Sequence, residues 1–89
     1  MKCGVFSIYD SAAGVFTAPT IDVTDVSAKR SFSQAVNNAG SVMGFKPSDF
    51  SLYRVGYFDV ENGSIEPCVP PVQIVSADRC MKVVIDDEV

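Results

Sequence analysis

The stretch from Phe50 to Pro67, FSLYRVGYFDVENGSIEP, limits what this chain can fold into more than any other. An aromatic and β-branched run is followed by Asn62-Gly63 and then by a shorter run that Pro67 ends. Asn-Gly between two such runs is a hairpin signal, because both residues accept the positive φ angles that a tight hairpin turn requires. The spacing predicts strands over 51–59 and 64–67. Strict alternation puts Phe50, Leu52, Arg54, Gly56 and Phe58 on one side of the first strand, and Ser51, Tyr53, Val55, Tyr57 and Asp59 on the other. Both sides are more than half apolar, so this strand is expected at the centre of a sheet, covered by a helix on one side and by something else on the other.

The rest of the chain supplies neighbours for that strand. Lys2 to Asp10 alternates, with Gly4, Phe6 and Ile8 on one side and Cys3, Val5, Ser7 and Tyr9 on the other, which predicts a first strand. Asp10-Ser-Ala-Ala-Gly14 reads as a turn and Val15 to Ala18 as a short second strand stopped by Pro19, the two pairing as a hairpin. From about Asp25 the period changes. Ala28, Phe32, Ala35, Val36 and Ala39 form one apolar stripe, predicting a helix over about 24–38, with Thr24 or Asp22 as its cap and Asn37-Asn38-Ala39-Gly40 as its stop. Lys29, Arg30, Ser33 and Asn37 fall on the outer side of that helix. Ser41 to Asp49 is a connection whose Val42, Met43 and Phe45 are expected to tuck under the sheet edge, with Pro47-Ser48-Asp49 as a helical turn. Pro70-Pro71 marks a break, after which the chain reads either as a strand over 72–76 plus a helical turn or as one short helix. The clustering of Val72, Ile74 and Val75 favours the strand.

These pieces make one α+β domain over 1–85, an antiparallel sheet of four or five strands with one main helix packed on one face, followed by an acidic C-terminal tail over 86–89. The 89 residues suffice for one domain with a small core, and 47% hydrophobic against 20% charged residues is a globular composition. No apolar run approaches the roughly 20 residues that span a bilayer, and the first ten residues read as a strand rather than a signal peptide, so no membrane association is expected. Cys3, Cys68 and Cys80 are odd in number and widely spaced, with no Cys-x-x-Cys and no His in the chain. Free thiols in a reducing cytoplasm are expected, with no metal and no cofactor.

Catalysis finds little support in these residues. There is no His to act as a base near neutral pH. Asp59 and Glu61 flank a turn, where solvated acids are common, and Gly40, Gly44, Gly56 and Gly63 match neither a phosphate-cradling loop nor a dinucleotide fingerprint. The chain is therefore not expected to be an enzyme. The formal charge of −4 argues against a broad basic face, although without Asp86, Asp87 and Glu88 the body carries seven basic against eight acidic residues and a local basic patch is possible. Binding of single-stranded nucleic acid needs exposed rings and a few cations. With a helix over the Phe6 and Leu52 side, Tyr9, Tyr53 and Tyr57 would share the open face, bordered by Lys29, Arg30 and Arg54 if a bulge at Gly56 re-aims Arg54. An open aromatic face on a small sheet is more often a dimer interface or a second core layer, and a homodimer through the sheet or its edge is expected.

Tyr53-Arg-Val-Gly-Tyr-Phe-Asp59, read with Val5-Phe-Ser-Ile-Tyr-Asp-Ser11 and Arg30-Ser-Phe-Ser-Gln-Ala-Val-Asn37, resembles the small nonstructural protein of gokushovirus-type microviruses, phages with circular single-stranded DNA genomes. The likeness runs from about residue 4 to 66 and departs at Tyr57, where such proteins often carry an acid. It implies a nonstructural accessory to viral DNA replication, acting by single-stranded DNA binding in the cytoplasm of an infected bacterium. It brings no catalytic residues. The competing reading is an interaction module that binds a host or phage protein and never touches DNA.

Overall fold

Two long strands, β1 (Lys2–Asp10) and β4 (Phe50–Asp59), pair antiparallel in the middle of a five-stranded sheet, in a computed structural model that describes residues 1–81. The acidic tail expected over 86–89 lies outside the described residues. On the far side of β4 runs β5 (Ile65–Ser76). On the far side of β1 lie β2 (Val15–Phe16) and β3 (Thr20–Asp22), one after the other along the same edge. Helix α1 (Asp25–Val36) packs on one face, so the α+β architecture read from the sequence is the one observed.

Strand β3 falls where the sequence reading placed only capping residues. Pro19 cannot donate to a ladder, so the edge is interrupted and resumes at Thr20. Thr17 bridges the interruption: its N–H donates to Ile8 O (2.8 Å), its Oγ1 accepts from Ile8 N–H (3.2 Å), and its carbonyl accepts from the buried Ser7 hydroxyl (2.6 Å). Every polar group that the jog frees at Ser7 and Ile8 thus finds a partner.

Helix α1 begins where expected. Thr24 is its cap, with Oγ1 accepting from Ser27 N–H at 3.1 Å, and Asp25 sits in the first turn, where the helix dipole favours a carboxylate. Its stripe of Ala28, Phe32 and Val36 is buried against Phe6 of β1, Leu52 of β4 and Ala77, with Ile8, Met43, Phe50, Ile74, Val75 and Cys80 around them. Asn37, expected outside, is half-buried: its Nδ2 donates to Ser33 O (2.8 Å) and to Cys80 O (2.7 Å), fastening the helix end to the segment after β5. The short helix α2 (Val42–Phe45) corrects another expectation. Only Met43 packs against the core, while Val42 and Phe45 are 67% and 82% exposed.

The hairpin between β4 and β5 forms with its turn where the sequence puts it. Asp59 N–H donates to Ser64 O (2.9 Å) and Gly63 N–H to Asp59 O (2.8 Å), which leaves residues 60–63 in the loop. Gly63 supplies a positive φ, +76°. Asn62 contributes through its side chain, whose Oδ1 accepts from Ser64 N–H (2.9 Å), and Asp59 Oδ1 likewise accepts from Glu61 N–H (2.9 Å). Beyond the turn, β5 does not end at Pro67. It pairs with β4 through Pro67, leaves residues 68–71 out of the pairing, and pairs again from Val72 with one further shift at Ile74, so the break expected at Pro70-Pro71 is a bulge within one strand. The strand then runs to Ser76 and gives way to a single 3-10 turn, Ala77–Arg79, as the strand alternative requires.

A second bulge faces the first. Val5 pairs with Gly56 but Phe6 with Arg54, so Val55 is an extra residue and the alternation of β4 reverses there. Phe50, Leu52 and Arg54 lie on the helix side with Phe6 and Ile8, and beyond the bulge it is Tyr57, opposite Gly4, that takes this side. Ser51, Tyr53, Gly56 and Phe58 are on the other face. Strict alternation therefore misplaces Gly56, Tyr57, Phe58 and Asp59. The reason is Gly56, where a Cβ would stand 2.7 Å from Glu66 O: the backbones of β4 and β5 approach closely there, and only glycine admits it.

The packing yields a contrast measurable by urea denaturation. Phe32→Ala, at the centre of the core, is expected to cost about 3–5 kcal/mol, whereas Phe45→Ala, on the exposed end of α2, should change stability by no more than about 0.5 kcal/mol.

Candidate functional site

The residues that the sequence nominates for nucleic-acid contact divide into groups on different faces of the sheet. Tyr9 and Tyr53 stay together on the face away from α1, because Tyr53 pairs with Ser7 and Tyr9 with Ser51 on adjacent strands. Their rings are 6.1 Å apart, centre to centre, at 81°. A third ring joins them. The β1–β2 register sets Phe16 directly opposite Tyr9, at 4.8 Å from its ring and 5.5 Å from that of Tyr53. Edge-to-face and tilted pairs at such distances hold one another in place. Phe16 is 44% exposed and the two tyrosines are half-buried, so the cluster is an aromatic surface rather than part of the core. Phe16 was not named from the sequence. The turn length from Asp10 to Gly14, which fixes the pairing of Tyr9 with Phe16, is the signal that identifies it.

Arg54 and Tyr57 form a separate group on the helix side. The bulge at Val55 carries Tyr57 away from the open face, and Arg54 keeps the covered direction that alternation gives it. Arg54 Nη1 donates to Asp25 Oδ2 at 2.6 Å, and its guanidinium lies 5.1 Å from the centre of the Tyr57 ring. The arginine side chain is only 16% exposed, against 48% for Asp25. The hydrogen bond to Asp25 raises the Arg54 pKa, burial opposes it, and the Cys68 thiol adds to the rise. The arginine is thus held charged at the N-terminus of α1, where it ties the helix to the sheet and is already neutralised. Its Nε is buried with no partner within hydrogen-bonding distance.

Lys29 and Arg30 lie on an exposed turn of α1 and do not border the aromatic cluster directly. Lys29 reaches the outer edge of β5, where a polar groove of about 550 Å³ is lined by Lys29, Gln73, Ile74, Val75, Ser76 and Arg79. Burial pushes the nearby Cys80 thiol up from its ordinary pKa, while a hydrogen bond with Ser33 and the charge of Lys29 pull the other way. Arg79 is a second residue that sequence reasoning passed over. The larger hollow in the molecule, about 660 Å³ between the end of α1 and α2, is mostly apolar and is lined in part by Val36, Val42 and Phe45. None of the nominated residues lines it. Among the described residues no group of three or more His, Cys, Asp or Glu is placed to hold a metal ion, and no helix is long and apolar enough to cross a membrane.

The fold and this site define a small antiparallel α+β domain with an aromatic cluster on the face its helix leaves open. Residues 3–80 match the family described as phage ORF5 protein, and the chain belongs to that family. No curated protein and no solved structure matches it.

The Arg54 anchor makes its own prediction. In a double-mutant cycle with Arg54→Met and Asp25→Asn, read by urea denaturation, the two sites should couple by about 1 kcal/mol, less at high salt. Additive effects would show that the pair contributes nothing.

Proposed function

We propose that this phage protein is a non-enzymatic accessory to replication of the viral DNA and binds single-stranded DNA in the cytoplasm of the infected host. The observation that carries the reading is the cluster of Tyr9, Phe16 and Tyr53, three mutually braced rings at the surface of the sheet. Bases stack on such rings with little regard to sequence, because every base has a π-face. Membership of a phage family supports the setting, and so does the likeness of the strand and helix motifs to the small nonstructural protein of gokushovirus-type microviruses. The footprint differs from the one the sequence alone implied. Phe16 enters it, while Tyr57 and Arg54 belong to the helix anchor on the other face.

A second reading has its own observation. Where β4 and β5 extend beyond α1, Val60, Ile65 and Val69 are exposed, Val69 by 86%. An apolar surface of this kind suits a protein partner, including a second copy in a homodimer, and the interaction need not involve DNA. Light scattering at micromolar concentration distinguishes these states: a dimer mass supports self-association, and a clean monomer removes it.

The DNA reading is tested by fluorescence anisotropy with a labelled oligonucleotide at low salt. Binding is expected, with Tyr53→Ala weakening it by about 1–3 kcal/mol. No binding at tens of micromolar protein would overturn the reading.

A further inference from the structure

The geometry points to the groove along the outer edge of β5, between Lys29 and Arg79, as the track for the phosphate backbone of the bound single strand. This rests on the DNA reading and assigns the half of the site that the aromatic cluster leaves open, the cations that meet phosphate.

Among the described residues Lys2 and Arg54 are committed to ion pairs, with Glu66 at 3.0 Å and Asp25 at 2.6 Å. Lys29 and Arg79 make none, yet they line one polar groove together with Gln73 and Ser76. Of the acids on the same two segments, Asp25 holds Arg54, while Asp78 accepts from the Ser76 hydroxyl and forms no ion pair with Arg79. Two cations outside any ion pair, on one groove with the Gln73 amide, can receive phosphate oxygens, and charge-assisted contacts to phosphate are stronger than neutral ones.

The groove is joined to the rings by the sheet itself. Tyr53 pairs with Gln73, a groove residue, and Tyr9 pairs with Ser51, which pairs with Ser76, another groove residue. Cross-strand partners share a face, so from Tyr9 to the edge the surface runs over two serines and meets no large side chain in that row. Two strand spacings amount to about 10 Å. A single strand crossing β4 and β5 can therefore lay bases on Tyr9, Phe16 and Tyr53 while its phosphates turn over the edge at Gln73 and Ser76 toward Lys29 and Arg79. The interface is small and carries few charges, which suits a chain of net charge −4.

The test is the salt dependence of oligo-dT binding. Each phosphate contact on a single strand contributes about 0.7 to the slope of log K against log salt. The Lys29→Gln/Arg79→Gln variant should be shallower than the wild type by about 1.4. Lys46→Gln, which removes an exposed, unpaired cation that does not line the groove, should leave the slope unchanged, and Tyr53→Ala should weaken binding at an unchanged slope. All substituted cations are exposed, so the variants fold. Binding that falls with Tyr53→Ala but keeps its slope in the groove variant would overturn the phosphate track and leave the DNA reading standing, as would a slope change of about 0.7 with Lys46→Gln. No wild-type binding would overturn both.

Discussion

Gly56 and the Glu66 carbonyl meet at a distance that leaves no room for a side chain, and much of the molecule follows from that contact. To bring the two backbones together, β4 gives up one residue of pairing at Val55 and β5 gives up four at residues 68–71. The sheet is thereby divided. On one side of the double bulge, Phe6, Ile8, Phe50, Leu52, Ile74 and Val75 face the helix and form the core with Phe32 and Val36. On the other side, among the described residues, the strands continue with no helix over them, and Val60 and Ile65 near the turn are exposed.

The same reversal sorts the polar and aromatic residues of β4. Tyr53 stays with Tyr9 and Phe16, whereas Tyr57 crosses to the side of Arg54. An arginine on a covered face would be costly if unpaired, and Asp25 at the first turn of α1 supplies the compensating charge. One strand thus provides a ring for the open surface and, a single residue later, the anchor that docks the helix. A candidate site residue and a scaffold residue are neighbours in sequence because the sheet has two faces.

What the sequence discloses depends on how local the cause is. The helix stripe of Ala28, Phe32 and Val36, the Thr24 cap and the pairing of the two strands around Asn62 and Gly63 are set by residues within a few positions, and each is readable. The side taken by Tyr57 is not, because it depends on a close approach between residues 56 and 66 that no period-two pattern contains. Strand β3 was hidden for a related reason. Thr20 and Asp22 are good capping residues, and only their pairing with Phe6 and Gly4 shows them to be strand. Of the candidate site, Tyr9 and Tyr53 were legible from alternation. Phe16 needed the register of the first hairpin, and Arg79 lies just past a strand whose continuation through two prolines no local signal announces.

The prolines carry one more consequence. A sheet ordinarily grows by strand addition along a free edge, where unpaired N–H and C=O groups act as a template. Here one outer edge is made of a two-residue and a three-residue strand with Pro19 between them, and the other is broken by a bulge that contains Pro70 and Pro71. Neither edge offers a long uninterrupted row of donors. Both edges are therefore poor templates for strand addition by another chain.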